Sequence, residues 1–252
     1  MRNLGPPLVF LALLLLGWEV LHLQIANGSI SSPREAGARL VALMSGARFW
    51  ADVGETGFAF VIACLLSIMF GVLIGVGLGL SRLATEAFEP ILVTFYSLPK
   101  VILYPLVLLA FGLGASAKIA FGVMHGLVPM ALLTRNAIAE IKPVYLRSAN
   151  VMQLDGFATL RLVLLPAILP ELVGGMRIAF SLSLLGVLIG EMFAAKRGLG
   201  FAAMNAMGLG DINTILAIGL FLGTFSVLAN VMMLSVERSL RHVHSNSVTQ
   251  AA

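Results

Sequence analysis

Few residues in this chain could do chemistry, because most of those that ionise stand outside its apolar runs. Those inside or at the ends of such runs include Glu19, Lys100, Lys118, His125 and Arg177. An ionisable group among apolar residues is costly, and it marks a pathway, a relay or a counter-ion. These five are too dispersed for catalysis: no Ser-His pair, paired carboxylates or histidine cluster falls among them, so no catalytic residue is expected. The four histidines, His22, His125, His242 and His244, do not assemble a metal site, since the first two stand in separate apolar stretches and the last two in the tail. The single cysteine, Cys64, lies inside an apolar run and offers neither a disulfide nor a thiolate cluster.

Glycine patterns add no nucleotide site. "GVLIGVGLGL", with Gly71, Gly75, Gly77 and Gly79, has neither the strand nor the βαβ setting of a dinucleotide fingerprint, and small residues four apart fit close helix packing instead. "GLGASAK", residues 112–118, lacks the spacing and the Lys-Ser/Thr ending of a phosphate loop. If ATP drives this protein, another chain binds it, and no cofactor is expected here.

The pathway candidates are Phe95, Tyr96, Lys100, His125 and Arg177. Lys100 follows Pro99 near a span end, where it either faces a pathway or snorkels to headgroups, the commoner use of such a lysine. Lys118 invites the same snorkelling reading. Arg177 is the deepest charge and has Glu171 one or two turns below it as a structural partner. His125 either lines a pathway or packs by a hydrogen bond. Phe95 and Tyr96 precede the Pro-Lys pair, where aromatic residues usually pack or sit at an interface. Glu19 has no evident partner, and the twelve methionines fit gap-filling between helices.

The elements that must position these groups are membrane helices. Of 252 residues 59% are hydrophobic and 11% charged, far from the usage of soluble domains, and mean hydropathy is +1.00. A bilayer core needs roughly 20 apolar residues as a helix. Six runs qualify, at about residues 7–24, 57–80, 90–112, 116–134, 170–190 and 212–236. The expected fold is therefore an all-α polytopic membrane protein of six spans, with an N-terminal span and outer loop (1–56), a core of five spans (57–242) and a disordered tail (243–252). The opening "MRNLGPPLVFLALLLLGWEVLHL" starts like a secretory signal, but no small-x-small cleavage site follows it, so an uncleaved span is expected.

The net charge of +4 does not point to nucleic acid, because the basic residues are scattered in ones and twos. They follow the membrane instead. With the N-terminus in the cytoplasm, Arg2, Arg82, Arg135, Lys142, Arg147, Arg161, Arg238 and Arg241 lie inside, and Arg34, Arg39, Arg48, Lys196 and Arg197 lie outside. Both termini and the linker 135–169 are thus expected in the cytoplasm.

That linker is amphipathic. Pro143 suits a first helical turn, Tyr145, Ala149 and Met152 follow at helical spacing, and Asp155-Gly156 ends the helix. A second short helix presents Phe157, Leu160 and Leu164 on one face and ends at Pro166 and Pro170, which reset the chain before the fifth span. Such a pair either protrudes for a soluble partner to grip or lies on headgroups.

Residues 147–166 resemble the cytoplasmic coupling-loop motif of ABC-importer permeases: Glu-Ala-Ala, three residues, Gly, a spacer, then an apolar residue and Leu-Pro. Aligned on Leu165-Pro166, the motif's Glu-Ala-Ala falls on Arg147, Ser148 and Ala149 and its glycine on Gln153, with Gly156 near enough to supply a bend. "FYSLPKVILYPLVLLAFGLGASAKI" (95–119), "GEMFAAKRGLGFAAMNA" (190–206) and "ERSLRH" (237–242) are similar to segments of the permeases of sulfonate, taurine and nitrate importers. The resemblance implies a type I ABC-importer fold with a coupling helix between spans 4 and 5, in a bacterial-type inner membrane. It further implies a second permease copy as a homodimer, cytoplasmic ABC ATPase subunits carrying ATP and Mg, and an extracytoplasmic solute-binding protein. By this resemblance Tyr145, Ala149 and Met152 would make buried contacts with the ATPase, Leu146, Val151 and Leu154 would support them, Arg147 and Asp155 would fix the orientation, and Ser148 and Gly156 complete the coupling segment. The outer loop after the fifth span, with residues 30–55, would receive the binding protein. Bicarbonate, aromatic acids and pyrimidine vitamin precursors are alternative cargoes. An ion-coupled secondary transporter, which needs intramembrane carboxylates and an inverted repeat, is the rival reading.

Overall fold

The structure, a computed structural model, describes residues 5–25 and 30–249, and every regular element among them is helical. α1 (Gly5–Gln24) corresponds to the first expected span; its stretch Ala12–Gln24 is apolar but shorter than a bilayer crossing. The indole of Trp18 donates to the Ser31 carbonyl at 2.9 Å, and the His22 ring is 2.6 Å from the Ile30 carbonyl, so α1 is fastened to the start of α2 (Pro33–Met44). Ser32 and Glu35 then close a capping box over Pro33.

α3 (Ala47–Leu80) starts ten residues before the expected span, since nothing from Ala47 to Thr56 breaks a helix. α4 (Arg82–Ser97) begins under a Ser81 cap and stops at Leu98, which the following Pro99 holds in an extended conformation (ψ 139°). A 3₁₀ turn (Lys100–Leu103) and α5 (Tyr104–Phe111) leave at 95° to α4. The run expected as one span at 90–112 is therefore a broken pair, because Pro99 both removes a backbone donor and excludes Leu98 from helical geometry.

α6 (Ala115–Ala139), α7 (Pro143–Val151), α8 (Gly156–Thr159), α9 (Leu165–Ala194), α10 (Leu199–Gly208) and α11 (Ile212–Thr249) complete the chain. Pro166 and Pro170 do not redirect it, contrary to expectation: Gly156–Phe193 is one 38-residue helical run. A π turn at Leu160–Leu164, in which Leu165 N–H donates to Leu160 O, widens the helix just before Pro166. The tail, expected to lack structure, continues α11 as far as Thr249.

Four helices are long and apolar enough to cross a membrane, Ala47–Leu80, Ala115–Ala139, Gly156–Phe193 and Ile212–Arg238, or five if the bent pair α4–α5 is one span. α3, α6 and α9 pack as the frame. Gly71, Gly75 and Gly79 lie against Met130, Thr134 and Ile138 of α6, and a Cβ at Gly71 would stand 2.6 Å from that of Met130. Their spacing is a packing stripe, as expected, and Gly77 faces open space. Ser67 of α3 and Ser183 of α9 satisfy each other at 3.1 Å inside this frame.

Candidate functional site

The chain presents two polar sites, one at each end of α6. At its C-terminal end, Lys142 N-caps α7 in an extended conformation and Pro143 fills the first turn. α7 ends in a Schellman closure: Leu154 N–H donates to Ala149 O at 3.1 Å, and Gln153 N–H to Asn150 O at 3.0 Å. The residue that makes this turn is Gln153, at φ +52°, the left-handed region that glycine usually occupies. It is the residue aligned with the motif's glycine. The bend expected at Gly156 thus falls three residues earlier, and Gly156 simply begins α8.

Asp155 accepts from Ala158 N–H at 2.6 Å and so N-caps α8, a local role rather than one toward a partner. Ala149 is 1% exposed and packs inside the chain, so it supports the elbow and is not on the face a partner would meet. Tyr145 and Leu154 are half-buried, while Leu146, Arg147 and Ser148 are exposed. Val151 and Met152 are the most exposed apolar residues of α7 and its cap, at 84% and 69%. Phe157 joins them on the outside, whereas Leu164 turns inward.

The second site, at the N-terminal end of α6, was not legible in the sequence. Glu191, near the end of α9, is completely buried, and its carboxylate accepts from Thr56 Oγ1 at 2.8 Å, Gly200 N–H at 3.0 Å and Lys118 Nζ at 3.1 Å. Lys118 also reaches Glu55 at 3.1 Å, Thr56 Oγ1 accepts from Leu199 N–H at 2.8 Å, and Asp52 accepts from Gly198 N–H at 3.0 Å. Three helices are thereby tied to the first residues of α10. Gly198 has φ +119°, and a Cβ there would overlap the Glu191 carboxylate, so the tie closes only on glycine. Lys118 is 3% exposed and buried in ion pairs, not snorkelling as its place near a span end implied. A cleft of about 290 Å³ lined by Lys118, Glu55, Lys196 and Arg197 opens beside it. The one available signal was Glu191 standing directly after the apolar run 170–190, seven residues before Gly198.

A lesser polar joint holds α2 to α11. The Thr214 hydroxyl and N–H, with Arg39, surround the Asp211 carboxyl and hold it below the usual carboxylate range.

The pathway candidates lie apart from both sites. Lys100, 9% exposed, donates to the Tyr96 carbonyl at 3.1 Å and stands 4.9 Å from the Tyr96 ring centre. His125 is buried, with Nδ1 2.9 Å from Phe121 O. Phe95 is half-buried and Tyr96 exposed on α4. Arg177 forms an ion pair with Glu237 of α11 at 3.7 Å, a partner that spacing along α9 could not offer. No group of three or more potential metal ligands occurs among the described residues.

The sequence and fold of this chain have counterparts in known proteins. The taurine transport system permease protein TauC of Escherichia coli is 25% identical over 230 residues, covering 89% of this chain and 79% of that one. The nitrate import permease protein NrtB of Leptolyngbya laminosa is 27% identical over 188 residues, covering 73% and 66%. A chain of the MetNI methionine ABC transporter, solved in inward facing conformations, superimposes with a TM-score of 0.68 at 21% identity, over 75% of this chain and 94% of that one. The family model of binding-protein-dependent transport system inner membrane components matches residues 67–242, a segment that contains the elbow, the broken helix, Lys118 and Glu191, and the chain belongs to that family.

Proposed function

We propose that the chain is the pathway-forming permease subunit of an ATP-driven, binding-protein-dependent importer whose cargo is a small anion of the sulfonate, taurine or nitrate kind. The observation that carries the reading is the elbow at residues 143–159 within a family of transport components. Its turn is closed by Gln153 and capped by Asp155, and it holds Val151, Met152 and Phe157 out of the core. Exposed apolar side chains on a rigid, capped helix suit a cleft on a soluble partner.

In this reading two ATPase subunits carry ATP and Mg, and this chain contributes no hydrolytic group. Leu146, Val151 and Met152 seat in the ATPase, Arg147 and Ser148 orient at the rim, and Tyr145, Ala149 and Leu154 anchor α7 to its own chain. When the ATPases close, α7 is displaced, and α6 and the run from α8 to α9, which flank the elbow, carry the movement to the pathway. ATP and the loaded binding protein each act by favouring the outward-open state, since a ligand shifts an equilibrium only by its differential affinity. α1 supplies the sixth span, both termini lie in the cytoplasm, a reading that the excess of basic residues supports, and a second copy covers the apolar surface of α4 and α5. Residues 30–55 and α10 face the binding protein. Bicarbonate, aromatic acids and vitamin precursors are the next cargoes to try. Ion coupling is not favoured: the buried carboxylates are engaged, Glu191 by three donors, Asp52 by Gly198 N–H and Glu237 by Arg177.

The test is co-purification of ATPase subunits from detergent-solubilised membranes with wild type and with Val151→Glu/Met152→Glu. The expected outcome is an associated ATPase with wild type and loss of at least nine-tenths of it, roughly, with the variant, because two buried charges cost several kcal/mol. Equal association, with both proteins inserted, would remove the elbow from the interface.

A further inference from the structure

Most of the withdrawn cations of this bundle are matched by carboxylates. Among the described residues, Lys118 has Glu55 and Glu191, Arg135 has Glu89 at 2.7 Å, Arg39 has Asp211 and Arg177 has Glu237. Lys100 is withdrawn from the surface, at 9% exposure, and meets no carboxylate among the described residues. Its ammonium has a neutral carbonyl, the face of a tyrosine and, within electrostatic reach, the ring of His125 on α6. None of these cancels a charge. The side chain does not snorkel either, since it folds back by one turn onto Tyr96.

The place is specific as well. Leu98-Pro99 breaks the helix by 95°, which leaves the Tyr96 carbonyl in the last turn of α4 without a helical donor. Lys100 fills that vacancy with one of its three N–H groups and is held there. His125 spends Nδ1 on its own helix. A broken helix that holds an uncompensated cation inside an apolar span is the arrangement by which membrane proteins present charge to a passing ion.

We propose that Lys100 is the charge that admits anionic cargo through this permease: the sulfonate, carboxylate or nitrate group exchanges water for the Lys100 ammonium at the helix break, with His125 as the neighbouring polar group. The proposal rests on the importer reading above and adds to it the residue that selects for negative charge. Neutral and cationic solutes gain nothing there.

The experiment has two arms. In the first, the complex with its ATPase and binding protein is reconstituted in liposomes, and ATP-driven uptake of taurine, ethanesulfonate and nitrate is measured for wild type, Lys100→Gln and Lys100→Arg, normalised to the ATPase recovered. The expected result is at least about a tenfold loss of uptake in Lys100→Gln, with most of it retained in Lys100→Arg. In the second, Lys100→Cys is made in a Cys64→Ala background, Cys64 being the only cysteine, and its modification by an anionic methanethiosulfonate is followed with and without the same three anions. The expected result is modification faster than at Met232→Cys, an apolar surface position of α11 71% exposed, and slowed by the transported anion. Uptake by Lys100→Gln equal to wild type, or a cysteine no more reactive than that at position 232, would overturn the proposal. If wild type takes up none of the three anions, the importer reading fails, and the cysteine arm alone decides: anion protection upholds the site and its absence overturns it.

Discussion

Replacing Glu191 by Gln removes one charge and changes almost no volume, so it isolates what the buried tie contributes. All three neighbours of the Glu191 carboxylate are donors: the Thr56 hydroxyl, whose oxygen already accepts from Leu199 N–H, the Gly200 N–H and the Lys118 ammonium. An amide must turn its NH₂ toward at least one of them, so a hydrogen bond becomes a donor–donor contact. The substitution also leaves Lys118, 3% exposed, with Glu55 alone, whose side chain is 44% exposed. Breaking a buried pair from one side costs about 3–5 kcal/mol. For a chain of this size that corresponds to a fall of about 10 °C in apparent melting temperature. The assay is thermal unfolding of the detergent-purified protein, with Glu55→Gln as the control. That change removes the solvated partner of the same lysine and should cost no more than about 1 kcal/mol, or about 3 °C. The pair Lys118→Met/Glu191→Leu, which removes both charges, should recover much of the loss. A melting temperature for Glu191→Gln within 2 °C of wild type, or a Glu55→Gln effect as large, would refute the reasoning that burial makes this carboxylate the centre of the tie.

Gly198→Ala should destabilise by about 3 kcal/mol or more in the same assay, since φ +119° is strained for any side chain and the methyl would displace the Glu191 carboxylate. Gln153→Gly should stabilise by about 0.5–1 kcal/mol, because glycine adopts φ +52° without the left-handed penalty, part of which is offset by a more flexible unfolded chain. Asp211 has a lowered folded-state pKa, so its contribution is present above the unfolded carboxylate value of about 4 and is lost as pH falls through the lower folded value. Melting temperature from pH 7 to 5 should therefore not respond to this group, and the loss below about pH 4 should be smaller in Asp211→Asn than in wild type.

Spans and stripes were legible because they repeat. Apolar runs long enough for a bilayer announce α3, α6, α9 and α11, and Gly71, Gly75 and Gly79 announce the α3–α6 contact four residues at a time. The elbow was legible for a local reason: Pro143 and Asp155 each act within one turn of their own position. Pro99 was visible, but how far it bends the chain depends on what Tyr104 and Lys100 then pack against, since Tyr104 donates to Gly190 O at 2.7 Å across 86 residues. Pro166 and Pro170 misled for the converse reason, as the helix runs on through both, Pro166 in the first turn of α9 and Pro170 inside it. The tie of Asp52, Thr56, Lys118 and Glu191 was invisible because its members lie up to 139 residues apart, between Asp52 and Glu191, and each alone looks like a solvated or snorkelling residue. Long-range charge matching leaves no periodic trace.

The most direct test of the central claim is ATP-dependent uptake by the reconstituted complex. Liposomes carrying this chain and its ATPase subunits, supplied with the binding protein, should accumulate taurine, ethanesulfonate or nitrate only when ATP and binding protein are both present, and Val151→Glu/Met152→Glu should abolish the accumulation. Uptake of the same anions on an ion gradient without ATP, or uptake that persists in that variant, would contradict a permease driven through the α7 elbow.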